Sequence, residues 1–237
     1  MGSSDDQLSE PDRIRQVYRH WLDGDRSAEY AWHRPDIMEQ AAAQWRVAGS
    51  MLARTVGTDL SHARVLDVGC GSGGFLRQLV NWGADPALLL GTEYQPERLD
   101  CARQRSAPGI RWHLGDLDVI ADASIDLACA NTVFSSIIDQ QARARLAQAM
   151  WRTLVPGGWC MVFDFRYNNP RNRNVRRVTR AELALYWPGV GQRYRTLLLA
   201  PPIARRLVRA PRLLGDMLTA LAPALRSHFV FMIQKPH

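Results

Sequence analysis

The chain has 237 residues, of which 46% are hydrophobic, and this is enough to bury a sizeable core in one α/β domain. Its four cysteines are widely spaced and form no C-x-x-C pair, so neither a zinc site nor a disulfide framework is indicated, and no metal is expected. No apolar run reaches the roughly 18 to 20 residues that span a bilayer, and the polar start does not resemble a signal sequence, so a cytoplasmic protein is expected.

Two helical stretches precede the first predicted strand. Residues 11–22 have a helical pattern, and apolar residues recur at helical spacing over 37–56. We expect residues 1–60 to form a helical lid across the carboxyl edge of a sheet, because ligand crevices in α/β proteins open at that edge. Tyr18, on the first helix, is a candidate substrate-binding residue.

Residues 65–75 (VLDVGCGSGGF) are the most informative stretch of the chain. An apolar strand reaches Asp67, and four glycines then follow within six residues, which lets backbone amides approach a ligand closely. Gly69, Gly71 and Gly74 fit the G-x-G-x-x-G spacing of dinucleotide sites, so the glycines alone leave a nicotinamide cofactor open. The Asp67 carboxylate favours a ligand that carries an ammonium or sulfonium group, because it would repel a pyrophosphate.

The spacing Asp-x-Gly-x-Gly-x-Gly over residues 67–73 resembles the first motif of the class I S-adenosylmethionine-dependent methyltransferases. Later segments resemble further motifs of that family in the same order, through to the Pro-Gly-Gly turn at 156–158. The resemblance implies S-adenosylmethionine as the cofactor, with Glu93 on the ribose hydroxyls, Asp116 on the adenine amino group and the next backbone amide on a ring nitrogen. The cofactor-binding residues expected in full are Asp67, Gly69, Cys70, Gly71, Gly73, Glu93, Tyr94, Asp116, Leu117 and Asn131.

From residue 61 onward short apolar strands alternate with helical runs, which is typical of parallel βαβ units. The family resemblance implies an α/β, Rossmann-like sheet of seven mostly parallel strands in the order 3-2-1-4-5-7-6, with the last strand antiparallel. Residues 61–237 would form this core, including a helical insertion at 201–227 before the last strand. The last three strands are predicted at 159–165, 194–199 and 229–233. A capping box from Thr179 to Glu182 predicts a helix over 183–187.

The last third of the chain is strongly basic. Residues 151–237 hold 15 basic and 3 acidic side chains, whereas residues 1–150 hold 15 and 20, and together they give the net charge of +7. A polar, arginine-rich loop follows the fifth strand, where open α/β sheets carry their chemistry. Asp164 and Arg166 are therefore the candidate catalytic residues, and Tyr167 and Asn168 are candidate substrate-binding residues.

The predicted function is methyl transfer from S-adenosylmethionine to a small-molecule acceptor. The last third resembles a bacterial branch of the family associated with surface-glycan or secondary-metabolite assembly, and its arginines suit an anionic acceptor. A nucleic-acid methyltransferase, a nicotinamide-dependent oxidoreductase and a non-catalytic scaffold are the alternatives. No nucleic-acid partner is expected, because residues 131–134 (NTVF) differ from the Asn-Pro-Pro-Tyr type of motif. For the amphipathic stretch 203–221, contact with a membrane surface, a homodimer interface, a cap on the acceptor pocket and a solvated face all stay open.

Overall fold

The computed structural model describes residues 9–22, 33–170, 172–200, 203–204, 206 and 212–237. Within these ranges, bounds are defined for seven strands and seven α-helices, and residues 203–204 and 206 are also helical. The strands are β1 (Val65–Val68), β2 (Leu89–Glu93), β3 (Arg111–Leu114), β4 (Ile125–Asn131), β5 (Leu154–Phe165), β6 (Val190–Leu199) and β7 (Arg226–Gln234). The helices are α1 (Glu10–Leu22), α2 (Pro35–Ala53), α3 (Gly74–Asn81), α4 (Pro96–Arg105), α5 (Gln140–Thr153), α6 (Arg180–Tyr186) and α7 (Arg212–Leu221).

The strands form one sheet in the order β3-β2-β1-β4-β5-β7-β6. Strands β1 to β5 pair in parallel, while β7 lies antiparallel between β5 and β6. This confirms the predicted Rossmann-like fold and its strand order. The carboxyl ends of β1, β2 and β4 therefore meet at one edge of the sheet, where such folds bind their ligands.

The last strands are longer than their apolar cores predict. β5 begins at Leu154 and includes the Pro-Gly-Gly turn, because the backbone already pairs with β4 before it reaches the apolar run. β6 begins at Val190, which pairs with Gln234 of β7, and β7 begins at Arg226, which pairs with Leu199 of β6. Polar residues at a sheet margin give no apolar signal in the sequence, which explains the shorter predictions.

Two apolar layers cover the two faces of the sheet. Along β1, Val65 belongs to the layer under α2 and α3, whereas Leu66 belongs to the layer under α5 and α6. Along β5, Met161 and Phe163 point into the first layer and Val162 into the second, as the two-residue period of a strand requires. We call these layers the α2 face and the α5 face. Because side chains alternate along each strand, a strand residue at the carboxyl edge points either to the α2 face or to the α5 face.

The N-terminal helices contact the carboxyl edge and the α2 face. Glu10 of α1 accepts a hydrogen bond from the Ile138 amide at 2.6 Å, and Arg13 donates to the Ser136 carbonyl, so α1 reaches the segment that follows β4. α2 packs on the α2 face, where Thr55, just beyond its end, reaches the Met232 sulfur at 3.7 Å. A separate lid over residues 1–60 stays a prediction, and residues 1–8 and 23–32 lie outside the described residues.

The insertion predicted at 201–227 includes α7, and residues 201–202, 205 and 207–211 lie outside the described residues. The predicted membrane, dimer and cap roles of 203–221 therefore rest on the sequence. Within the described ranges, no helix combines the length and the hydropathy that crossing a bilayer requires.

A buried arginine joins two loops at the carboxyl edge on the α5 face. Arg143 of α5 is fully buried, donates to the carbonyls of Ile137, Arg176 and Arg177, and forms an ion pair with Glu182 at 2.9 Å. The predicted capping box is therefore only half formed. Thr179 caps α6 through the Glu182 amide at 3.1 Å, but the Glu182 carboxylate turns to Arg143 because that buried cation needs a counter-charge.

Candidate functional site

The glycine loop between β1 and α3 has a backbone that other residues adopt only with strain. Gly69, Gly71 and Gly73 have φ angles of 61°, 55° and 78°, in the left-handed region. A Cβ on Gly69 would lie 2.7 Å from a methyl group of Val133, in the segment after β4. The loop is fixed from below by a 2.8 Å hydrogen bond from the Cys70 amide to the Thr92 carbonyl of β2. The glycines thus hold backbone amides close against an adjoining cavity.

Asp67 lies at the end of β1, on the α2 face, and is 1% exposed. Asn131, at the end of β4, donates its side-chain amide to the Asp67 carboxylate at 3.2 Å, while the Asn131 side-chain carbonyl oxygen is buried without a hydrogen-bond partner. Burial raises the pKa of Asp67 to about 7, because the single amide bond does not replace the lost water and Glu93 adds like charge. The Asp67 carboxylate and the Asn131 carbonyl oxygen are therefore two neighbouring hydrogen-bond acceptors whose bonding a donor cation would complete.

A cavity of about 220 Å³ opens beside these groups. Several of the residues that line it were predicted from the sequence as cofactor-binding residues, namely Asp67, Gly69, Cys70, Gly71 and Asn131. The other lining residues were not predicted to bind the cofactor, namely Gln44, Trp45, Ser72, Gly74, Phe75 and Arg98. Trp45 and Arg98 come from helices α2 and α4, and only tertiary packing brings them to the loop. The stacking of Trp45 on Phe75, with ring centroids 5.9 Å apart, is the contact that fixes the α2 wall.

Glu93 lies behind the glycine loop. Its carboxylate accepts hydrogen bonds from the amides of Gly71 at 3.0 Å, Tyr94 at 2.7 Å and Gln95 at 3.2 Å, and Arg98 approaches it at 3.9 Å. The sequence did not predict this bracing of the loop. A contact of Glu93 with ribose hydroxyls stays a prediction, as does every individual cofactor contact.

The residues predicted for the adenine end form a second cluster after β2 and β3. The Tyr94 hydroxyl donates to the Asp116 carboxylate, and Arg15 of α1 lies over the Tyr94 ring at 5.8 Å. Burial and the Asp116 carboxylate raise the pKa of the Tyr94 hydroxyl, which stays protonated. Leu117 is buried in the α5-face layer, and Gly73 lies under Trp112 of β3. β2 and β3 are neighbours in the sheet, so this cluster adjoins the glycine loop.

Asp164 was expected to face the crevice, and the structure corrects this. Its side chain points to the α5 face, opposite to Asp67, and is completely buried. The carboxylate accepts hydrogen bonds from the amides of Ser135 at 3.0 Å and Phe165 at 2.8 Å. Burial raises its pKa to about 6 despite these bonds. Asp164 thus fastens the loop after β4 to the end of β5 and has no surface for a substrate.

The other acceptor-side candidates are likewise engaged with the chain itself. Arg166 donates to the carbonyls of Pro223 at 2.9 Å and Arg226 at 2.7 Å, and its guanidinium lies over the Tyr167 ring. The Tyr167 hydroxyl donates to the Ala224 carbonyl, and the Asn168 side-chain oxygen accepts from the Arg177 amide. Arg166 and Tyr167 thus hold the loop against the segment that leads into β7, and Asn168 bonds within the loop. None of the three lines the cofactor cavity, and their roles towards an acceptor stay predictions. The Tyr18 side chain lies outside the described residues.

Comparison with known proteins finds a family model that matches part of the chain. Residues 65–158, from β1 into β5, match the family model described as a methyltransferase domain. The matched segment contains the glycine loop, Asp67 and Asn131, and its likeness to methyltransferases supports an enzyme that uses S-adenosylmethionine. The predicted cofactor is confirmed for the domain.

Individual relatives are similar over part of their length. A trans-aconitate 2-methyltransferase of Methylobacterium nodulans is 31% identical over 150 residues, which are 62% of this chain and 55% of that protein. A magnesium-protoporphyrin O-methyltransferase of Rhodobacter capsulatus is 30% identical over 117 residues, 44% of this chain and 50% of that protein. The chain spans about half the length of these relatives.

One solved structure covers nearly the whole chain. The N-methyltransferase NodS from Bradyrhizobium japonicum WM9, in complex with S-adenosyl-L-homocysteine, aligns with 94% of this chain and 99% of its own at a TM-score of 0.66. The sequence identity is 14%, so this likeness shows a common fold.

Proposed function

We propose that the whole protein transfers the methyl group of S-adenosylmethionine to a small-molecule acceptor. The observation that carries the proposal is the pair of buried oxygen groups on Asp67 and Asn131 beside the glycine loop. A buried carboxylate next to an unpartnered carbonyl oxygen is stabilised by a cation that donates hydrogen bonds to both. The ammonium group of the methionine end supplies such a cation.

The remaining residues of the cavity fit the same ligand. At Gly69 and Gly71 a Cβ would collide with Val133 and Arg98, so glycine is what lets the loop follow this path beside the cavity. Trp45 and Phe75 offer an apolar wall on the opposite side, which would keep water from the reacting atoms. Tyr94 and Asp116 stand at the next strand ends, where we place the adenine.

S-adenosylmethionine supplies an electrophilic methyl group on a sulfonium when it is bound. The contribution of the chain is to hold the donor by Asp67 and Asn131, to brace the loop through Glu93, and to present the acceptor in line. Holding two reacting atoms at roughly 3 to 3.5 Å in a dry pocket contributes several kcal/mol to lowering the barrier. No proton transfer is needed for that part of the acceleration.

A small-molecule acceptor is supported by the names of the relatives, which specify trans-aconitate and magnesium protoporphyrin. A glycan or secondary metabolite, and an anionic group on it, remain the finer proposal from sequence. The Arg166 guanidinium uses one nitrogen, Nη1, for two backbone carbonyls, so its role towards such an anion stays part of the sequence-based proposal. A nucleic-acid acceptor has no comparable support from the described contacts.

Isothermal titration with S-adenosylhomocysteine tests the cofactor site, and a mass-spectrometric screen for the gain of one methylene tests the acceptor class. We expect micromolar or tighter binding to the wild type and a loss of at least tenfold in Asp67→Ala. Asp100→Asn is the matched control, since Asp100 is an exposed carboxylate on α4 of the same domain. Millimolar binding that Asp67→Ala leaves unchanged would overturn the proposal.

A further inference from the structure

His228 lies at the carboxyl edge of the sheet on the same face as Asp67. The register aligns Asn131 with Phe163 in the neighbouring strand, and Phe165 with His228 in the next one. Val230, two residues further along β7, belongs to the α2-face layer, so the His228 side chain points to that face. The imidazole is therefore two strands away from Asn131, at the same edge and on the same face of the sheet.

The ring is held by two phenylalanines that leave one nitrogen without a protein partner. Phe163 stacks on the imidazole with centroids 5.2 Å apart and planes 9° apart, and Phe165 lies at 4.4 Å. The side chain keeps an exposed fraction, since the residue is 6% exposed. In the part of the chain that the structure describes, Nδ1 has a hydrogen-bond partner, whereas no partner is found for Nε2.

The hydrogen bonds around Ser227 allow a tautomer in which Nδ1 carries the proton. The Ser227 hydroxyl lies 2.8 Å from Nδ1 and 3.2 Å from the carbonyl oxygen of Leu198, which can only accept. Leu198 has a φ of 61°, a strained value for leucine, and the chain holds this residue next to Ser227. When Ser227 donates to Leu198, Nδ1 must donate to Ser227, and Nε2 is left with a free lone pair.

We propose that His228 is the general base of the reaction, and that the acceptor carries its proton on the attacking atom, as a hydroxyl does. This inference rests on the proposed function. It narrows the acceptor class, because a carboxylate is already deprotonated and has no proton to transfer to Nε2. It also replaces Asp164, whose carboxylate lies on the opposite face.

In the transfer step the acceptor's hydroxyl oxygen forms a bond to the methyl carbon, the carbon–sulfur bond breaks, and its electron pair neutralises the sulfonium. The acceptor's proton goes to Nε2 and leaves later to solvent. Burial lowers the pKa of His228 to about 4, which keeps the ring neutral and ready to accept. A weak base suffices, because a hydroxyl oxygen becomes strongly acidic as it gains the methyl group.

The test is nitrogen-15 NMR of histidine side chains in the protein saturated with S-adenosylhomocysteine. His228→Gln assigns the resonance, and His113→Gln on the distant strand β3 is the matched control. We expect Nε2 to be unprotonated in the wild type and to shift when phenol or 2-phenylethanol is added. Ser227→Ala should move the proton partly to Nε2, since Nδ1 loses its partner.

A protonated Nε2 in the wild type would overturn the inference. So would an Nε2 resonance that responds to trans-aconitate alone, or to none of the three probes. Calorimetry on the same samples distinguishes a failure of the proposed function from a failure of the role proposed for His228. Failure of S-adenosylhomocysteine to bind would count against the proposed function itself, whereas binding with a silent Nε2 would count against His228 only.

Discussion

Asp67 is a carboxylate whose position serves ligand binding at the expense of stability. It is fully buried with a single side-chain amide as its partner, and its pKa of about 7 shows that its charge is poorly compensated by the protein. A cation bound at Asp67 and Asn131 would stabilise the ionised form. Binding of the donor and ionisation of Asp67 are therefore linked.

That linkage predicts a pH dependence of cofactor affinity. Below pH 7 the carboxyl is protonated, and a ligand ammonium must displace the proton, so affinity should rise with pH. From pH about 6 to pH about 8 we expect about a tenfold fall in the dissociation constant of S-adenosylhomocysteine. Titration calorimetry in two buffers of different ionisation enthalpy should register proton release at the lower pH. In Asp67→Asn the affinity should be weaker and independent of pH, and a slope that persists in this variant would assign the effect to another group.

Gly69→Ala should damage both the loop and the site. A left-handed φ costs an alanine about 1 to 2 kcal/mol, and its Cβ would press on Val133 at 2.7 Å. We expect the free energy of unfolding to fall by about 1 to 3 kcal/mol in urea, with at least tenfold weaker binding of S-adenosylhomocysteine. Gly57→Ala is the control, because Gly57 also has a positive φ but nothing within 4 Å of the added Cβ. It should lose stability without losing cofactor affinity.

At the scale of elements, the loops after β4 and β5 are joined by groups that never reach the solvent. Asp164 bonds the amide of Ser135, and Arg143 bonds three carbonyls of the two loops. The arginine-rich loop after β5 is thus ordered from within, although its composition suggested a free binding surface. Some of the polar groups of this loop therefore stabilise the fold by bonding to neighbouring segments.

Arg143→Ala should therefore be severely destabilising. Removing it leaves three buried carbonyls and the Glu182 carboxylate uncompensated, and breaking such a buried pair costs about 3 to 5 kcal/mol. Chemical denaturation followed by circular dichroism measures this loss. Arg103→Ala, which breaks the exposed pair with Asp100, should change the free energy of unfolding by less than about 1 kcal/mol. Equal effects of the two variants would refute the bracing role of Arg143.

At the scale of the whole molecule, three buried groups set the pH of greatest stability. Asp67 and Asp164 have pKa values raised by burial to about 7 and about 6, so the stability of their protonated forms is lost as the pH rises through those values. The pKa of His228 is lowered to about 4, so its contribution is lost as the pH falls from the ordinary value of 6.5 towards 4. Between about pH 4 and pH 7 the loss at the two carboxyls, which starts from their ordinary value of 3.8, outweighs the gain at His228, so we expect the maximum near pH 4 and a continuous fall above it. The free energy of unfolding should be about 1 kcal/mol lower at pH 8 than at pH 6, and the double variant Asp67→Asn with Asp164→Asn should abolish that fall.

The fold and one half of the site were predictable, because both depend on local patterns. The apolar runs separated by helical stretches predicted the sheet, and the spacing from Asp67 through the glycines predicted the loop. The acceptor side was not predictable, because it depends on register. Asn131 pairs with Phe163 of β5, and both side chains point to the α2 face. Asp164 follows Phe163 in the strand and therefore points to the opposite face, and no feature of the sequence specifies that pairing. Trp45 and Arg98 were missed for a related reason, since helix packing alone brings them to the cavity.

Trp45 gives the molecule an internal optical reporter. Its indole forms a wall of the cofactor cavity and also borders a second, more apolar groove with Gly49, Leu52 and Trp82, in edge contact with the Trp82 ring at 6.4 Å. A ligand against one side of this ring changes the polarity that its excited state meets. Titration with S-adenosylhomocysteine should therefore quench or shift the tryptophan emission, and Trp45→Phe should remove most of the signal. Binding could then be followed in real time without a label, in a stopped-flow instrument, before any acceptor has been identified.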